Sequence, residues 1–477
     1  MKSIIIFLSV ILLMTAGCKK DLTSLNNDPK NPKNVPSYTL FTNAQRTLTN
    51  TLTSSNVNLN IFRLIVQYWQ ETTYTDESNY DLSTREINDA VWNALNRDVL
   101  KDFQEAAKLI PTDVNNATTQ KNELAIIEIM EIYTWYYLAT TYGDIPYSEA
   151  LDINKPFPKY DDASAVYSDL LTRLDAAIAN LDPAGESFGG ADILYGGSVA
   201  AWMKFANSFK LKMGITIADA DPGKAKTIVE SAVNAGVFTS NEDNAEFQYL
   251  SGPPNTNPIW VDLVQSGRKD FVGASTLVDE LKTLMDPRLN DYFTTIDPSD
   301  PASGYEGGVP GASSTYANFS KPDEQIVAAD FPALLLDYSE VEFLLAEAAQ
   351  RGYSVGGTAA SHYASAISAS ILYWGGTDAE ASAYLLRPGV PYNAANWKQS
   401  IGTQKWIALY NRGWDAWIEW RRLDYPLLDP AVDAQSDIPL RYPYPVNEQN
   451  VNRLNYEAAS TAIGGDVVET KLWWDKF

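Results

Sequence analysis

Cysteine and histidine are nearly missing from this chain of 477 residues, which has one of each. A single cysteine excludes an intrachain disulfide, and a single histidine excludes multi-histidine metal sites and two-histidine acid/base pairs. Basic residues are also short: 36 Lys and Arg stand against 60 Asp and Glu, a formal charge of −24 at pH 7. That balance repels phosphate backbones and anionic lipid headgroups, so no nucleic acid is expected as a partner and a neutral or weakly polar ligand fits better. The sequence also lacks a G-x-S-x-G elbow, a P-loop, an H-E-x-x-H pair and an EF-hand loop. Carboxylates remain as possible catalysts, but 60 of them guarantee chance pairs, so their abundance carries no weight without geometry.

What the chain does have begins at its N-terminus. Lys2 precedes an apolar run of eleven residues from Ile4 to Met14, then Thr15, Ala16, Gly17 and Cys18. The run is too short to span a bilayer of about 30 Å but suits the core of a secretory signal. Small residues ahead of Cys18 let a peptidase approach the backbone, and the thiol can take a diacylglycerol thioether; the pattern resembles a bacterial lipobox. Residues 1–17 therefore read as a signal peptide and Cys18 as the lipidation site. Several acyl chains, palmitate among them, anchor a protein stably, because each buried methylene contributes about 0.8 kcal/mol. Residues 18–36, rich in proline and asparagine and without apolar period, read as a tether. Lys19 replaces the aspartate that retains enterobacterial lipoproteins at the inner membrane, which points to the outer membrane.

From Ser37 the pattern is mainly helical. Val199, Trp202, Ala206, Phe209 and Met213 recur at steps of three and four behind the cap Ser198. Asp161 and Asp162 precede the stripe Val166, Leu170, Leu174, Ala177, and Ser275 to Met285 is stopped by Asp286-Pro287. Residues 124–138 are apolar nearly all round, which predicts a helix enclosed by neighbours; Glu128 and Glu131 argue against a membrane span. Helices also come in pairs, 198–219 with 223–235 and 341–351 with 359–374, so the fold class is mainly α, with tetratricopeptide-like repeats. The scaffold is expected over 37–240 and 333–425. Residues 241–332 read as a loop-rich insertion with a few short strands, and 426–477 as an extended segment.

The strings TTYGDIPYSEAL (140–151), YGGSVAAWMKFANSFKLKMGI (195–215), DYSEVEFLLAEAAQRG (337–352), IGTQKWIALYNRGWDAWIEWRRLDYP (401–426), IPLRYPYPVNEQNVNRLNY (438–456) and TKLWWDKF (470–477) occur in this order. They resemble the SusD/RagB family of Bacteroidetes outer-membrane lipoproteins over essentially the whole mature chain. The resemblance implies a non-enzymatic surface protein with an α/α superhelix and no cofactor or metal. It implies a ligand, an oligosaccharide or a peptide, handed to a SusC-like TonB-dependent outer membrane receptor. A surface glycoside hydrolase or esterase using loop carboxylates is the alternative.

Most rings in the family strings lie at helical spacing. Trp406, Tyr410, Trp414 and Trp417, with Trp135 and Trp202, are expected in the core. His362, on a helix between Ser361 and Tyr363, reads as a packed or solvated histidine rather than a catalytic base. Ligand contacts are expected from the irregular regions, where rings stack on sugar C–H faces while amides, carboxylates or Arg take the hydroxyls. One cluster is Trp69, Tyr74 and Tyr80 with Gln70, Asp76, Glu77 and Asn79. A second is Asn257, Trp260, Arg268, Asp270 and Phe271. The third is Tyr292, Tyr305, Tyr316, Asn318 and Phe319.

Overall fold

Helix starts follow the side chains that can satisfy orphan backbone N–H groups. The structure, a computed structural model, describes residues 35–477, so the leader, Cys18 and all but the end of the tether lie outside the described residues. The longer helices are α1 (Ser37–Thr53), α2 (Lys101–Asp113), α3 (Ala117–Tyr142), α4 (Ala163–Asn180), α5 (Val199–Thr216) and α6 (Pro222–Ala235), then α7 (Tyr338–Gln350), α8 (Ala359–Tyr373), α9 (Trp397–Ala408) and α10 (Gly413–Leu423). Asn116, Asp162, Ser198, Asp221 and Asp337 each accept a hydrogen bond from an N–H of the helix they precede. Helix α3 ends at Gly143, whose φ of +88° is cheap only for glycine.

The helices pack in pairs: α3 with α4, α5 with α6, α7 with α8 and α9 with α10, while α1 packs on α2. Contacts of α4 with α5, α5 with α7 and α7 with α9 join successive pairs. Close approach needs small residues, and at Gly214 of α5 a Cβ would come within 2.9 Å of Val229 on α6. Ala348, Ala366 and Ala369 are likewise buried between α7 and α8. Helix α3 is buried over most of its length, as its all-round apolar character requires. Among the described residues no helix is long and apolar enough to cross a membrane.

Charges are buried between the pairs as well. Lys212 on α5 meets Glu340 on α7 at 2.9 Å and also pairs with Asp415 on α10. Arg412 closes the set on Glu340 at 2.6 Å and Asp415 at 2.9 Å. A second set joins Arg422 to Glu347 and Glu419, with Lys405 on Glu419 at 2.8 Å.

Strands are few and short. β1 (Trp69–Glu71) pairs antiparallel with β5 (Phe271–Gly273), β2 (Ile145–Pro146) with β3 (Tyr160–Asp161), and β4 (Ala245–Phe247) with β6 (Ala333–Leu336). The C-terminal segment, expected to be extended, instead carries helices Val446–Val451 and Arg453–Ala462, the first opening after Pro445. Its end is docked by Arg421, whose guanidinium lies 3.4 Å from the Trp417 ring centroid and 4.7 Å from that of Trp474.

Candidate functional site

A cleft of about 780 Å³ opens between α1, residues 93–98 and residues 254–262. Helix α1 buries Phe41, Ala44 and Leu48 on one face, which leaves Arg46, Thr47 and Asn50 to line the cleft from the other. Two stretches of π-helix occur among the described residues, Ala94–Leu100 and Val261–Gln265, and both contribute to the wall. Single π turns are rare and concentrate at functional sites, because the extra residue per turn re-aims the side chains around it.

The polar part of the lining is mostly uncharged. Thr47, Asn50, Thr51, Asn56, Asn93 and Thr256 present hydroxyls and amides. Tyr249 donates to Asn50 Oδ1 at 2.9 Å from its buried position. Arg46 is held by amides alone, donating at 2.9 Å to both Asn255 Oδ1 and Asn43 Oδ1. The two carboxylates present are engaged: Asp98 takes both prongs of Arg97, and Asp262 accepts from Ser55 Oγ at 2.9 Å. Burial pushes Asp262 above the ordinary carboxylate range.

A narrower groove continues from the cleft through Asn56 and Asp262 to Arg85, Arg268 and Asp270, then to Thr72, Tyr74 and Lys269. The β1–β5 ladder makes this continuity. Glu71 faces Phe271, and the Thr72 N–H donates to the Asp270 carbonyl at 2.8 Å, so segments about 200 residues apart in the chain share one wall. Tyr74 stands 73% exposed on it. The half-buried Tyr316 ring adjoins it, with Lys269 Nζ at 5.4 Å and Lys321 Nζ at 5.3 Å from its centroid.

Under the groove lies an acidic pair. Glu71 and Glu77 are both buried. Glu71 Oε2 accepts from Ser78 N and Oγ, each at 2.9 Å, and Glu77 is paired with Arg85. Burial, reinforced by the Glu77 charge, pushes the Glu71 carboxyl up to about 8. Among the described residues no group of three or more His, Cys, Asp or Glu side chains converges in a way that would hold a metal.

A protein-family model described as starch-binding and associating with the outer membrane matches residues 29–445. The chain belongs to this SusD-like family. Solved structures agree: a chitin-binding protein is 27% identical, with 92% of this chain and 100% of that one covered, at a TM-score of 0.80. A SusD homologue from Bacteroides uniformis is 26% identical over 92% of this chain and 100% of its own, at 0.77. A chitin-binding SusD homologue from Flavobacterium johnsoniae, 24% identical over 91% and 99% of the two chains at 0.76, shares the fold. No curated protein matches the chain in sequence.

In this SusD-like chain the residues expected at the ligand surface divide into three groups. Tyr74, Arg268 and Asp270 line one groove, Tyr316 adjoins it through Lys269, and Asp76 is exposed beside Tyr74. Trp260 is half-buried directly ahead of the cleft residues Val261 and Asp262. Three others belong to the core, contrary to the expectation. Trp69 is 1% exposed, donates from Nε1 to Tyr410 at 2.9 Å, and lies under the Arg63 guanidinium. Tyr80, buried at a positive φ of 68°, accepts from Ala431 N. Asn257 caps the helix Pro258–Trp260 and donates to the Phe331 carbonyl at 2.8 Å. Polar and aromatic character without period marks irregular backbone, and irregular backbone must bury anchors to be ordered; that is why part of each cluster points inward. Gln70 and Glu77 are buried too, Phe271 lies in β5, and Tyr292 stacks on Tyr410 with centroids 4.1 Å apart. Asn79 is half-buried against Thr75, and its carbonyl accepts from Gln435 N at 2.9 Å. Tyr305 donates to Asn290 Oδ1 at 2.7 Å and lines neither cleft nor groove. Asn318 is exposed and Phe319 half-buried on the same segment as Tyr316.

Sequence reasoning missed the N-terminal wall, Arg46 to Asn56. Its signal was the run of hydroxyls and amides TNTLTSSNVNLN over 49–60, hidden because its first half also reads as an amphipathic helix. His362 sits apart from the site, with Nδ1 2.7 Å from Glu342 Oε2 and Nε2 2.7 Å from the Gly356 carbonyl.

Proposed function

We propose that this chain captures an oligosaccharide in the cleft and groove without cleaving it. It then passes the ligand to a SusC-like TonB-dependent transporter, while acyl chains on Cys18 hold it at the outer face of the outer membrane. The observation that carries the binding reading is the chemistry of the cleft: about 780 Å³ walled by amides and hydroxyls and by both π-helical stretches, opening onto a groove with an exposed tyrosine. Sugar hydroxyls pair with planar amides and hydroxyls, and sugar C–H faces stack on rings. The direct contacts are assigned to Tyr74, Arg268, Asp270 and Tyr316, with Asp76 and Trp260 at the rim. The starch-binding description of the family and the chitin-binding name of a relative support a carbohydrate ligand. A hydrolase would need two free carboxylates flanking a scissile bond, whereas Asp98 and Asp270 already serve Arg97 and Arg268, and Asp262 and Glu71 accept from Ser55 and Ser78. Calorimetry and affinity electrophoresis against soluble glycans, run beside a product assay on the same ligands, test this. Saturable binding without cleavage is expected; turnover of a bound oligosaccharide would sink the non-catalytic reading, and co-purification without a TonB-dependent receptor would sink the hand-over.

A further inference from the structure

The cleft and its groove carry a charge balance opposite to that of the chain around them. Over the whole sequence acidic residues outnumber basic ones by 60 to 36. Along the cleft and groove the basic residues are Arg46, Arg85, Arg97, Arg268 and Lys269, and the acidic ones are Glu71, Asp98, Asp262 and Asp270. On these walls the basic side chains thus outnumber the acidic ones by five to four, and Arg85 also takes up the buried Glu77 beneath them, whereas the whole-chain balance would favour a neutral ligand. Burial also pushes Glu71 and Asp262 up, so the acidic side is weaker than its number.

The pairing of the cations is the second observation. With 60 carboxylates in the chain, a cation at a structural position usually finds one, as Lys212, Lys405 and Arg422 do in the scaffold. Three cations at this surface have no carboxylate partner among the described residues. Arg46 is oriented by two amide oxygens, which leave its charge uncompensated and its remaining donors free to face the cleft. Lys269 and Lys321 both lie over the Tyr316 ring, and Lys321 donates to the Ile296 carbonyl at 2.6 Å. Two ammonium groups near one ring repel each other, and an anion bound beside them would relieve that repulsion.

We propose that the ligand of this site is an anionic glycan, an oligosaccharide carrying carboxylate or sulfate groups. Its charged groups meet Arg46 at one end and Lys269 with Lys321 beside Tyr316 at the other, while the exposed Tyr74 stacks on a sugar face. The proposal rests on the glycan-binding reading above and names the class of ligand within it. The net negative charge of the rest of the chain repels polyanions that lack this complementary spacing.

Calorimetry on the full mature chain with charge-matched pairs tests it. One pair is an oligogalacturonate and its methyl ester; the other is a sulfated galactan oligosaccharide without uronic acid and its desulfated form, with a chitooligosaccharide as neutral reference. The acidic member of at least one pair is expected to bind about tenfold more tightly than its neutral counterpart, the scale of one charge-assisted contact. Which pair shows the margin distinguishes carboxylate from sulfate. Lys269→Gln, at an exposed position, and Arg46→Gln should each bring the ratio of acidic to neutral affinity most of the way back to one; an unchanged ratio in both variants would overturn the charge assignment. Neutral members, or the chitooligosaccharide, binding as tightly as the acidic ones would overturn the charge assignment and leave glycan binding standing. No binding of any glycan would overturn both.

Discussion

Two sets of buried charges in this molecule are built on opposite plans. In the scaffold, Lys212 and Arg412 lie between Glu340 and Asp415, so opposite charges alternate and every ion has a counter-ion at hydrogen-bond distance. Below the groove, Glu71 and Glu77 are buried together, and their one cation, Arg85, sits at the rim with 36% of its side chain exposed. Alternating charges fix how α5, α7 and α10 meet, because any slip would strand an ion away from water. Two like charges under a groove have no such structural use. They hold a proton that a scaffold would give up, and perturbed groups of that kind collect where ligands bind. The molecule thus keeps its electrostatic satisfaction in the helices and its tension beneath the groove.

That contrast can be broken at its strongest point first. Lys212→Met leaves Glu340 and Asp415 buried with Arg412 alone, and a loss of about 3–5 kcal/mol is expected in urea denaturation. A loss below about 1 kcal/mol would mean the network is decoration. Next come the aromatic residues on either side of the divide. Trp69→Ala should cost about 3 kcal/mol or more, because the ring is enclosed between Arg63, Phe271 and Tyr410. Tyr74→Ala should stay within about 0.5 kcal/mol of the parent in stability yet weaken glycan binding severalfold. Equal losses of stability from both would erase the distinction between core ring and ligand ring.

The smallest effect concerns the acidic pair and depends on pH. The folded Glu71 titrates near 8, above the ordinary carboxylate, so between those values the folded chain keeps a proton that the unfolded chain releases. This contribution is therefore fully present in acid and is lost as pH rises towards and past 8. Glu71→Gln keeps the acceptor for Ser78 without a charge to desolvate. It should raise stability at pH 8 by on the order of 1 kcal/mol and leave it nearly unchanged at pH 4.5, read as melting temperature at each pH. An equal gain at both values would show that the carboxyl is not held protonated.

The sequence made the scaffold legible because period and caps are local. Ser198, Asp162 and Gly143 act within a few residues of where they stand, and the core rings of α9 and α10 announce themselves by spacing. The site was legible only by half. Composition picked out 68–82 and 257–319 as irregular and aromatic, but the side of the backbone each ring takes depends on the β1–β5 pairing and on partners such as Tyr410 and Ala431. Those are contacts across hundreds of residues, for which no local pattern exists. The N-terminal wall of the cleft was lost for a different reason: one helix serves core and site at once, and the apolar stripe of α1 is the louder signal.

The stitching of residues 66–69 to the far end of the chain bears on the order of assembly. Trp406 Nε1 donates to the Val66 carbonyl at 3.0 Å, the Tyr68 hydroxyl donates to the Trp406 carbonyl, and Trp69 reaches Tyr410, all across about 340 residues. Contacts of such separation close late, since the entropy of a long loop must be met before they return anything. Strand β1, and with it the floor of the groove, is therefore set in place only after α9 has docked. A chain arrested partway through folding has helices but no floor to the groove, so an intact groove reports that the last helices have arrived.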